Sequence, residues 1–165
     1  MVETYTPDCD YDMKAHEFEL VNVDNEFYSL ESCQGTKATL VMFICNHCPY
    51  VQSILDQLAV EASVMQKKGI GCVAINSNDY NAYPDDSFEN MQKISKKYGF
   101  SFPYLIDDKQ DIARKYKSVC TPDFFGFNSN LELQYRGRFD DRKTSKQMSA
   151  NSVSYTHLRA HETIL

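Results

Sequence analysis

The hydrophobic residues of this chain fall into two kinds of pattern that alternate along its middle. Residues 38–44 and 70–75 are continuous apolar runs with several β-branched side chains, which is typical of strands buried on both faces of a parallel sheet. Between them, apolar residues recur at spacings of three and four over residues 51–65, and this spacing predicts one helix with a single apolar stripe. Two lysines and a glycine at 67–69 should end that helix. The middle of the chain therefore predicts a β-α-β unit.

The flanking segments predict further strands and helices around this unit. Residues 18–23 and 27–30 resemble two strands joined by the turn signal Asp24-Asn25, so we expect an N-terminal β-hairpin. Asp85-Asp86-Ser87 should begin a second helix, with Asp86 or Ser87 as its N-cap. The other predicted elements are a strand at 102–106, a helix at 110–117 and a closing hairpin of strands at 124–127 and 131–135. The predicted fold class is α/β, with a central mixed sheet flanked by helices.

The chain divides into one domain with a short segment on each side. Its 165 residues and 42% hydrophobic content fit a single core, which we place at residues 16–142. Residues 1–15 are polar and aperiodic, and they predict a flexible arm. Residues 143–165 do not continue the pattern, and the end of this tail resembles a peptide translated from a sequencing adapter. We expect this tail to be irregular and not native sequence. His157 and His161 lie in it four residues apart, but without the metalloprotease pattern they predict no metal site.

Charge and hydropathy exclude some classes of partner. The net charge is −6, and lysines and arginines never cluster in runs longer than two, so neither nucleic acid nor an anionic membrane is expected as a partner. An apolar run long enough to span a membrane is absent from the sequence. The first residues lack the basic and apolar regions of a secretory signal. We therefore expect a cytoplasmic protein.

Two of the six cysteines, Cys45 and Cys48, are closely spaced, and they follow the first buried strand directly. In a reducing compartment an isolated CxxC pair is redox-active or metal-binding. Disulfide exchange needs a thiolate, and a helix N-terminus lowers the pKa of a thiol placed there. We predict that Cys45 attacks the substrate disulfide. Cys48, expected one turn further into the helix and more shielded, should resolve the mixed disulfide.

The residues around the pair leave two points open. His47 lies between the cysteines, and as an imidazolium it would favour the Cys45 thiolate and make the pair more oxidising; alternatively it is an exposed histidine with no electronic role. Pro49 is tolerated in the first turn of a helix, so the helix begins at either Asn46 or Pro49. That choice determines how directly the helix dipole acts on Cys45.

Several motifs together resemble a known family. The CxxC at the first strand-helix junction, followed later by Thr-Pro and an antiparallel hairpin, is similar to the thioredoxin fold. Within about residues 14–142, the chain resembles redoxin-type, peroxiredoxin-like (AhpC/TSA-type) proteins described as thiol-disulfide isomerase/thioredoxin proteins. The motifs that carry this resemblance are the stretch 43–51, which contains the CNHCP sequence, and the stretches 74–78, 102–105, 120–125 and 135–141.

The resemblance implies roles for three residues far from the CxxC in sequence. Pro122 would be a cis-proline facing the CxxC, and Thr121 would pair through its backbone with an extended substrate. Cys120 would lie near the active sulfurs, as either a third redox thiol or a small buried residue. The sequence also departs from ordinary thioredoxins. Strand 38–44 lacks their buried acid, Ile44 replaces a tryptophan, and the terminal helix that should cover the sheet is expected to be truncated.

These observations favour a thiol-disulfide oxidoreductase that acts on protein or small-molecule disulfides and thiols, with a thioredoxin-type reductant as a further expected partner. We expect neither a cofactor nor a metal. One alternative is a thiol peroxidase, but the pattern Pro-x-x-x-Thr/Ser-x-x-Cys fails before both Cys45 and Cys48. A second alternative is a metal-binding module, because Cys45, His47, Cys48 and Cys120 offer soft ligands for Cu(I) or Zn²⁺.

Overall fold

The computed structural model describes residues 10–139, which form a seven-stranded mixed sheet with helices on both faces. The strands are β1 Glu19–Asn22, β2 Phe27–Ser29, β3 Ala38–Phe43, β4 Ile70–Asn76, β5 Tyr104–Ile106, β6 Asp123–Asn128 and β7 Leu133–Gly137. The helices are α1 Leu30–Cys33, α2 Pro49–Gln52, α3 Leu55–Lys67, α4 Phe88–Tyr98 and α5 Asp111–Tyr116, with a short 3-10 helix at Pro84–Asp86. The predicted α/β fold is thus confirmed.

The sheet places the two predicted apolar strands at its centre. Its strand order is β2-β1-β5-β4-β3-β6-β7. Strand β4 runs parallel to both β3 and β5, and the other neighbours are antiparallel. All six residues of β3 are buried, which agrees with its continuous apolar sequence. The CxxC follows β3, so the thiol pair lies at the carboxyl end of the central strands, where open α/β sheets commonly bind ligands.

Alternate side chains of the central strands supply two separate apolar cores. Leu40 and Met42 point to the face covered by α3 and α4, whereas Val41 and Phe43 point to the face covered by α1 and α5. This division follows from the two-residue period of a strand. Tyr116 of α5 packs between the rings of Phe43 and Phe125 on the second face. The site is therefore anchored on a strand that both cores fix.

Some local predictions differ from the structure. The helix predicted from the stripe at 51–65 is interrupted at residues 53–54 and forms two helices, α2 and α3. Of the two predicted N-caps of α4, Ser87 takes the role, as predicted, and its Oγ accepts the N–H of Asn90 at 3.3 Å. The short helix α1, which the sequence pattern does not predict, has a capping box between Ser29 and Ser32.

The predicted N-terminal arm is ordered in the part that the structure describes. Met13 and Ala15 exchange backbone hydrogen bonds with Leu133 and Leu131, so the paired structure begins before residue 16. Residues 1–9, the tail 143–165 and the expected truncation of a terminal helix lie outside the described residues. Across residues 10–139, the helices are too short or too polar to cross a membrane.

Candidate active site

The two CxxC cysteines lie in a short loop between β3 and α2. The first helical residue is Pro49, and Cys48 is the N-cap of α2. The structure therefore decides the open question of where the helix begins. Because helix N–H groups and the positive end of the dipole act mainly on the N-cap and first turn, they act on Cys48 more directly than on Cys45.

The relative shielding of the two thiols also differs from the prediction. Cys45 is 1% exposed and Cys48 is 8% exposed, whereas the sequence predicted Cys48 to be the more shielded. The reason is the same local geometry. Residues 46 and 47 form a bend instead of a helical turn, so Cys48 does not enter the helix interior.

Thr121 contacts both sulfurs from the opposite side of the site. Cys45 Sγ lies 3.2 Å from Thr121 Oγ1, and Cys48 Sγ donates to the backbone oxygen of Thr121 at 3.5 Å. The Thr121–Pro122 peptide is cis, as the family resemblance implied. Cys120 precedes Thr121 and is half-buried. The structure thus brings Thr121 to the thiol pair, with Cys120 and Pro122 as its chain neighbours.

The two thiols interact strongly, and their contacts separate their acidities. The hydrogen bond from Cys45, together with the backbone amides of Val51 and Tyr50, lowers the pKa of Cys48 to about 5 against the opposing effect of burial. The pKa of Cys45 is raised by the same shared hydrogen bond and by burial, and the Asp86 carboxylate raises it further. The pair therefore loses its first proton easily and holds its second tightly.

A buried carboxylate, Asp86, holds the CxxC loop in place. Its Oδ1 accepts the backbone N–H of Asn46 at 2.6 Å and that of His47 at 3.3 Å. Its Oδ2 meets His47 Nδ1 and accepts the side-chain amide of Asn78 at 2.9 Å. The Asp86 side chain is fully shielded from solvent. Burying a carboxylate is costly unless donors surround it, and here four donors do so.

His47 is fixed by two further features besides its own backbone. Nδ1 forms an ion pair with Asp86 when the ring is protonated, and the ring stacks on Tyr83 with centroids 4.5 Å apart and planes 4° apart. The His47 side chain remains 29% exposed. His47 therefore has one edge against a buried carboxylate and another open to solvent.

Cys45, His47 and Asp86 form a compact group. One sulfur, one ring nitrogen and one carboxylate oxygen from these residues lie within 4.8 Å of one another. Such a trio could in principle bind a cation, but structural zinc usually takes four ligands. Both oxygens of Asp86 already accept hydrogen bonds from protein donors. The geometry fits a hydrogen-bonded unit better than a metal centre, and the absence of a metal stays a prediction.

The segment after Pro122 is anchored by a second buried carboxylate. Asp123 accepts from Arg136 Nη2 at 3.0 Å and from Ser118 Oγ at 3.2 Å. The Arg136 side chain is 5% exposed and also donates to the carbonyl of Lys117 at 2.7 Å. Burial raises the pKa of Asp123, while Arg136 and Ser118 oppose the rise. This pair ties β6, β7 and the loop before Cys120 together.

A polar pocket of about 340 Å³ is lined by Thr121, which contacts both sulfurs, although neither CxxC cysteine lines it. Thr121 and Cys120 belong to its wall, so the residue that touches both sulfurs also faces the pocket. Asn78 lines it as well and connects it to Asp86. Other lining residues include Phe43, Ser77, Arg114 and Ser118. The pocket is a candidate space for the part of a substrate next to its reacting sulfur.

Asp86, Asn78 and the Asp123–Arg136 pair were not identified as site residues from the sequence. The sequence suggests only a helix-capping role for Asp86, and Ser87 takes that role. The sequence did contain one signal for Asp86. Two adjacent acids, Asp85 and Asp86, precede the N-cap serine, and one of them has no neighbour in sequence to pair with. The absence of a carboxylate in β3 is confirmed, and the structure shows that a distant 3-10 helix supplies an acid to the site.

The sheet and its helices define a thioredoxin-like fold. The profile of the AhpC/TSA family matches residues 12–139, and the chain belongs to that family. Curated proteins gave no significant match.

Solved structures of similar chains share this fold. An uncharacterized conserved protein from Geobacillus kaustophilus is 40% identical with a TM-score of 0.85, covering 94% of this chain and 82% of that one. A hypothetical protein from Sinorhizobium meliloti is 35% identical with a TM-score of 0.86, covering 96% and 85%. A secreted Mycobacterium tuberculosis disulfide oxidoreductase homologous to E. coli DsbE shares the fold at 17% identity, with a TM-score of 0.65 and coverage of 90% and 96%.

Proposed function

We propose that this protein is a thiol-disulfide oxidoreductase whose Cys45–Cys48 pair cycles between dithiol and disulfide. The observation that carries the proposal is the convergence of both sulfurs on Thr121, at the edge of a polar pocket. A pair that shares one proton and has one thiol of low pKa supplies the thiolate that exchange requires. Protein or small-molecule disulfides are the proposed substrates, with Thr121, Pro122 and Cys120 forming the substrate side of the site.

The proposed exchange has two steps. The Cys45 thiolate attacks one sulfur of a substrate disulfide, so that a mixed disulfide forms and the other substrate sulfur leaves as a thiolate. Cys48, as a thiolate, then attacks Cys45 Sγ and releases the second substrate thiolate. The protein ends as the Cys45–Cys48 disulfide, and the substrate has gained two electrons. A thioredoxin-type reductant would return the pair to the dithiol.

Two sets of contacts bear on the order of attack, and they oppose each other. Thr121 supports attack by Cys45, because its hydroxyl lies 3.2 Å from Cys45 Sγ and its carbonyl accepts the proton of Cys48, although the same hydroxyl also lowers the pKa of Cys48. The amides of Tyr50 and Val51 instead stabilise a thiolate on Cys48. We propose Cys45 as the attacking thiol. The two sulfurs share one proton, so when that proton moves from Cys45 to Cys48, Cys45 becomes the thiolate. The two roles then separate in single variants.

The test is to trap the mixed disulfide in each serine variant with a chromogenic aromatic disulfide. Cys48→Ser should release one aromatic thiolate and stop as a stable adduct on Cys45, whereas Cys45→Ser should lose rapid reaction. The control is Cys72→Ser, since Cys72 is buried in β4 and burial raises its pKa to about 12. A stable adduct in Cys45→Ser alone would reverse the two roles. A wild-type protein that never releases the second thiolate would contradict the proposed function.

Membership of the AhpC/TSA family keeps a thiol peroxidase as the second candidate. Hydrogen peroxide consumption with a dithiol reductant distinguishes the two: we expect slow turnover, and rapid turnover lost in Cys45→Ser would favour the peroxidase. Stoichiometric zinc or copper in protein purified under reducing conditions would instead favour a metal-binding module. The cytoplasm remains the proposed compartment on sequence grounds alone.

A further inference from the structure

The site contains a buried negative charge that the proposed exchange chemistry does not use. The Asp86 carboxylate is fully shielded from solvent, and one of its oxygens lies within 4.8 Å of Cys45 Sγ and a ring nitrogen of His47. Asp86 ends a 3-10 helix about 40 residues after the CxxC. Its carboxylate reaches back to the CxxC loop, where it accepts a hydrogen bond from the Asn46 N–H. An acid placed here repels a Cys45 thiolate, because charges this close in a shielded site interact strongly.

His47 is the positive partner of this acid when its ring is protonated. Nδ1 of His47 meets Asp86 Oδ2, and the stacked ring of Tyr83 holds the imidazole in that orientation. Asn78 occupies the same carboxylate oxygen from the other side. Arg136 does not supply this charge, because it pairs with Asp123. The charge that Cys45 experiences therefore depends on whether Asp86 and His47 are both ionised.

We propose that Asp86 is a positioning residue that works as one unit with His47: it anchors the CxxC loop, and His47 neutralises the negative charge that Asp86 places beside Cys45. This rests on the proposed disulfide exchange and deepens it, because it assigns a role to a residue outside the CxxC motif. It also changes the role of His47. His47 acts less as an isolated cation near a thiol than as the counter-ion of a buried acid.

The unit makes a prediction that a purely structural Asp86 does not. Replacing His47 leaves an uncompensated carboxylate beside the Cys45–Cys48 pair, which disfavours the negative charge that the two sulfurs share and hence the reduced form. The pair becomes more reducing by at least about tenfold in its equilibrium with glutathione, or about 30 mV for two electrons. Removing the carboxylate as well removes the repulsion, so Asp86→Asn should suppress the effect of His47→Ala.

The experiment measures the redox potential of the Cys45–Cys48 couple in the full chain, by thiol trapping in glutathione buffers. The variants are His47→Ala, His47→Gln, Asp86→Asn and the two double variants. The proposal expects both double variants to return to within about twofold of Asp86→Asn alone, which is the usual error of additivity. The matched control is Asp107→Asn, since Asp107 is also buried and accepts three donors but contacts neither CxxC thiol.

The outcomes separate this inference from the proposed function. Double variants that remain as reducing as the histidine variants would overturn the Asp86–His47 unit, and so would an unchanged potential in both His47→Ala and His47→Gln. An equal shift in Asp107→Asn would also overturn it, because the effect would then follow from any buried acid. If the wild-type pair forms no disulfide in any buffer, the proposed function itself fails.

Discussion

Two buried aspartates anchor the two chain segments that meet at the thiol pair, and they are balanced in different ways. Asp123 directly follows Pro122 and meets Arg136, a cation that keeps its charge at every physiological pH. Asp86 holds the CxxC loop and meets His47, whose charge depends on pH, together with three neutral donors. A permanent partner suits an acid that fixes a structure. A titratable partner suits an acid whose field at a reacting sulfur can change.

The partners of the two aspartates also differ in their exposure to solvent. Arg136 is nearly buried, and it stacks over Phe125 at 4.6 Å while it donates to the carbonyl of Lys117. His47 is partly open to solvent, beside the exposed ring of Tyr83. The Asp123 side is therefore sealed into the protein, whereas the Asp86 side reaches the surface through its histidine.

The largest expected effect is on the sealed side. Arg136→Met removes the cation and leaves Asp123 buried without it, which should cost about 3–5 kcal/mol of unfolding free energy. Urea denaturation followed by circular dichroism measures the loss. Arg114→Met is the control, because the Arg114–Asp111 pair is exposed and should contribute about 0–1 kcal/mol. Similar losses in the two variants would show that Arg136 does not compensate a buried charge.

A smaller effect is expected on the open side, where the charge is shared among several donors. Asn78→Ala removes one of the four donors to Asp86, and a hydrogen bond to a charged group contributes about 1.5–3 kcal/mol. The same urea titration compares it with Asn90→Ala, whose amide donates to the exposed carbonyl of Pro84 and should cost less than about 1 kcal/mol. If Asn78→Ala cost as much as Arg136→Met, the two acids would not differ in the way proposed.

The fold could be predicted largely from local patterns. The continuous apolar sequence of residues 38–43 forms β3, and the hairpins appear where turn residues predict them. These features depend on the period of the side chains and on burial, which the sequence displays directly. The break between α2 and α3 was missed, since apolar residues continue through Ile54 at helical spacing although the helix is interrupted there.

The thiol pair was evident from the CxxC, but its electrostatic setting was not. The helix begins at Pro49 and so favours Cys48, which depends on how the chain leaves β3. Asp86 reaches Asn46 and His47 across about 40 residues of sequence, and no local pattern encodes such a contact. Thr121 and Pro122 were found only because the chain resembles a family. Long-range polar contacts thus account for most of what the sequence did not reveal.

The smallest expected effect is the pH dependence that Asp123 gives to folding, because burial and Arg136 act on its pKa in opposite directions. Its pKa is raised in the folded state, so the folded chain binds that proton more tightly than the unfolded chain does. The resulting stabilisation is complete below the unfolded pKa and is lost as pH rises through the folded pKa. The unfolding free energy of wild type minus that of Asp123→Asn should therefore decrease as pH rises from about 4 to 7.

Asp24→Asn provides a control of opposite sign. The backbone hydrogen bond from Glu26 lowers the pKa of Asp24, so its stabilisation is present above the unfolded pKa and is lost as pH falls through the folded pKa. The corresponding difference for Asp24→Asn should increase over the same pH range, measured by urea titrations at matched ionic strength. If the two differences change in the same direction, Asp123 is held as a carboxylate by Arg136 more strongly than burial opposes it. The charge of Asp123 would then be compensated by Arg136 alone, and Asp123 would differ more from Asp86, whose charge is shared among several donors.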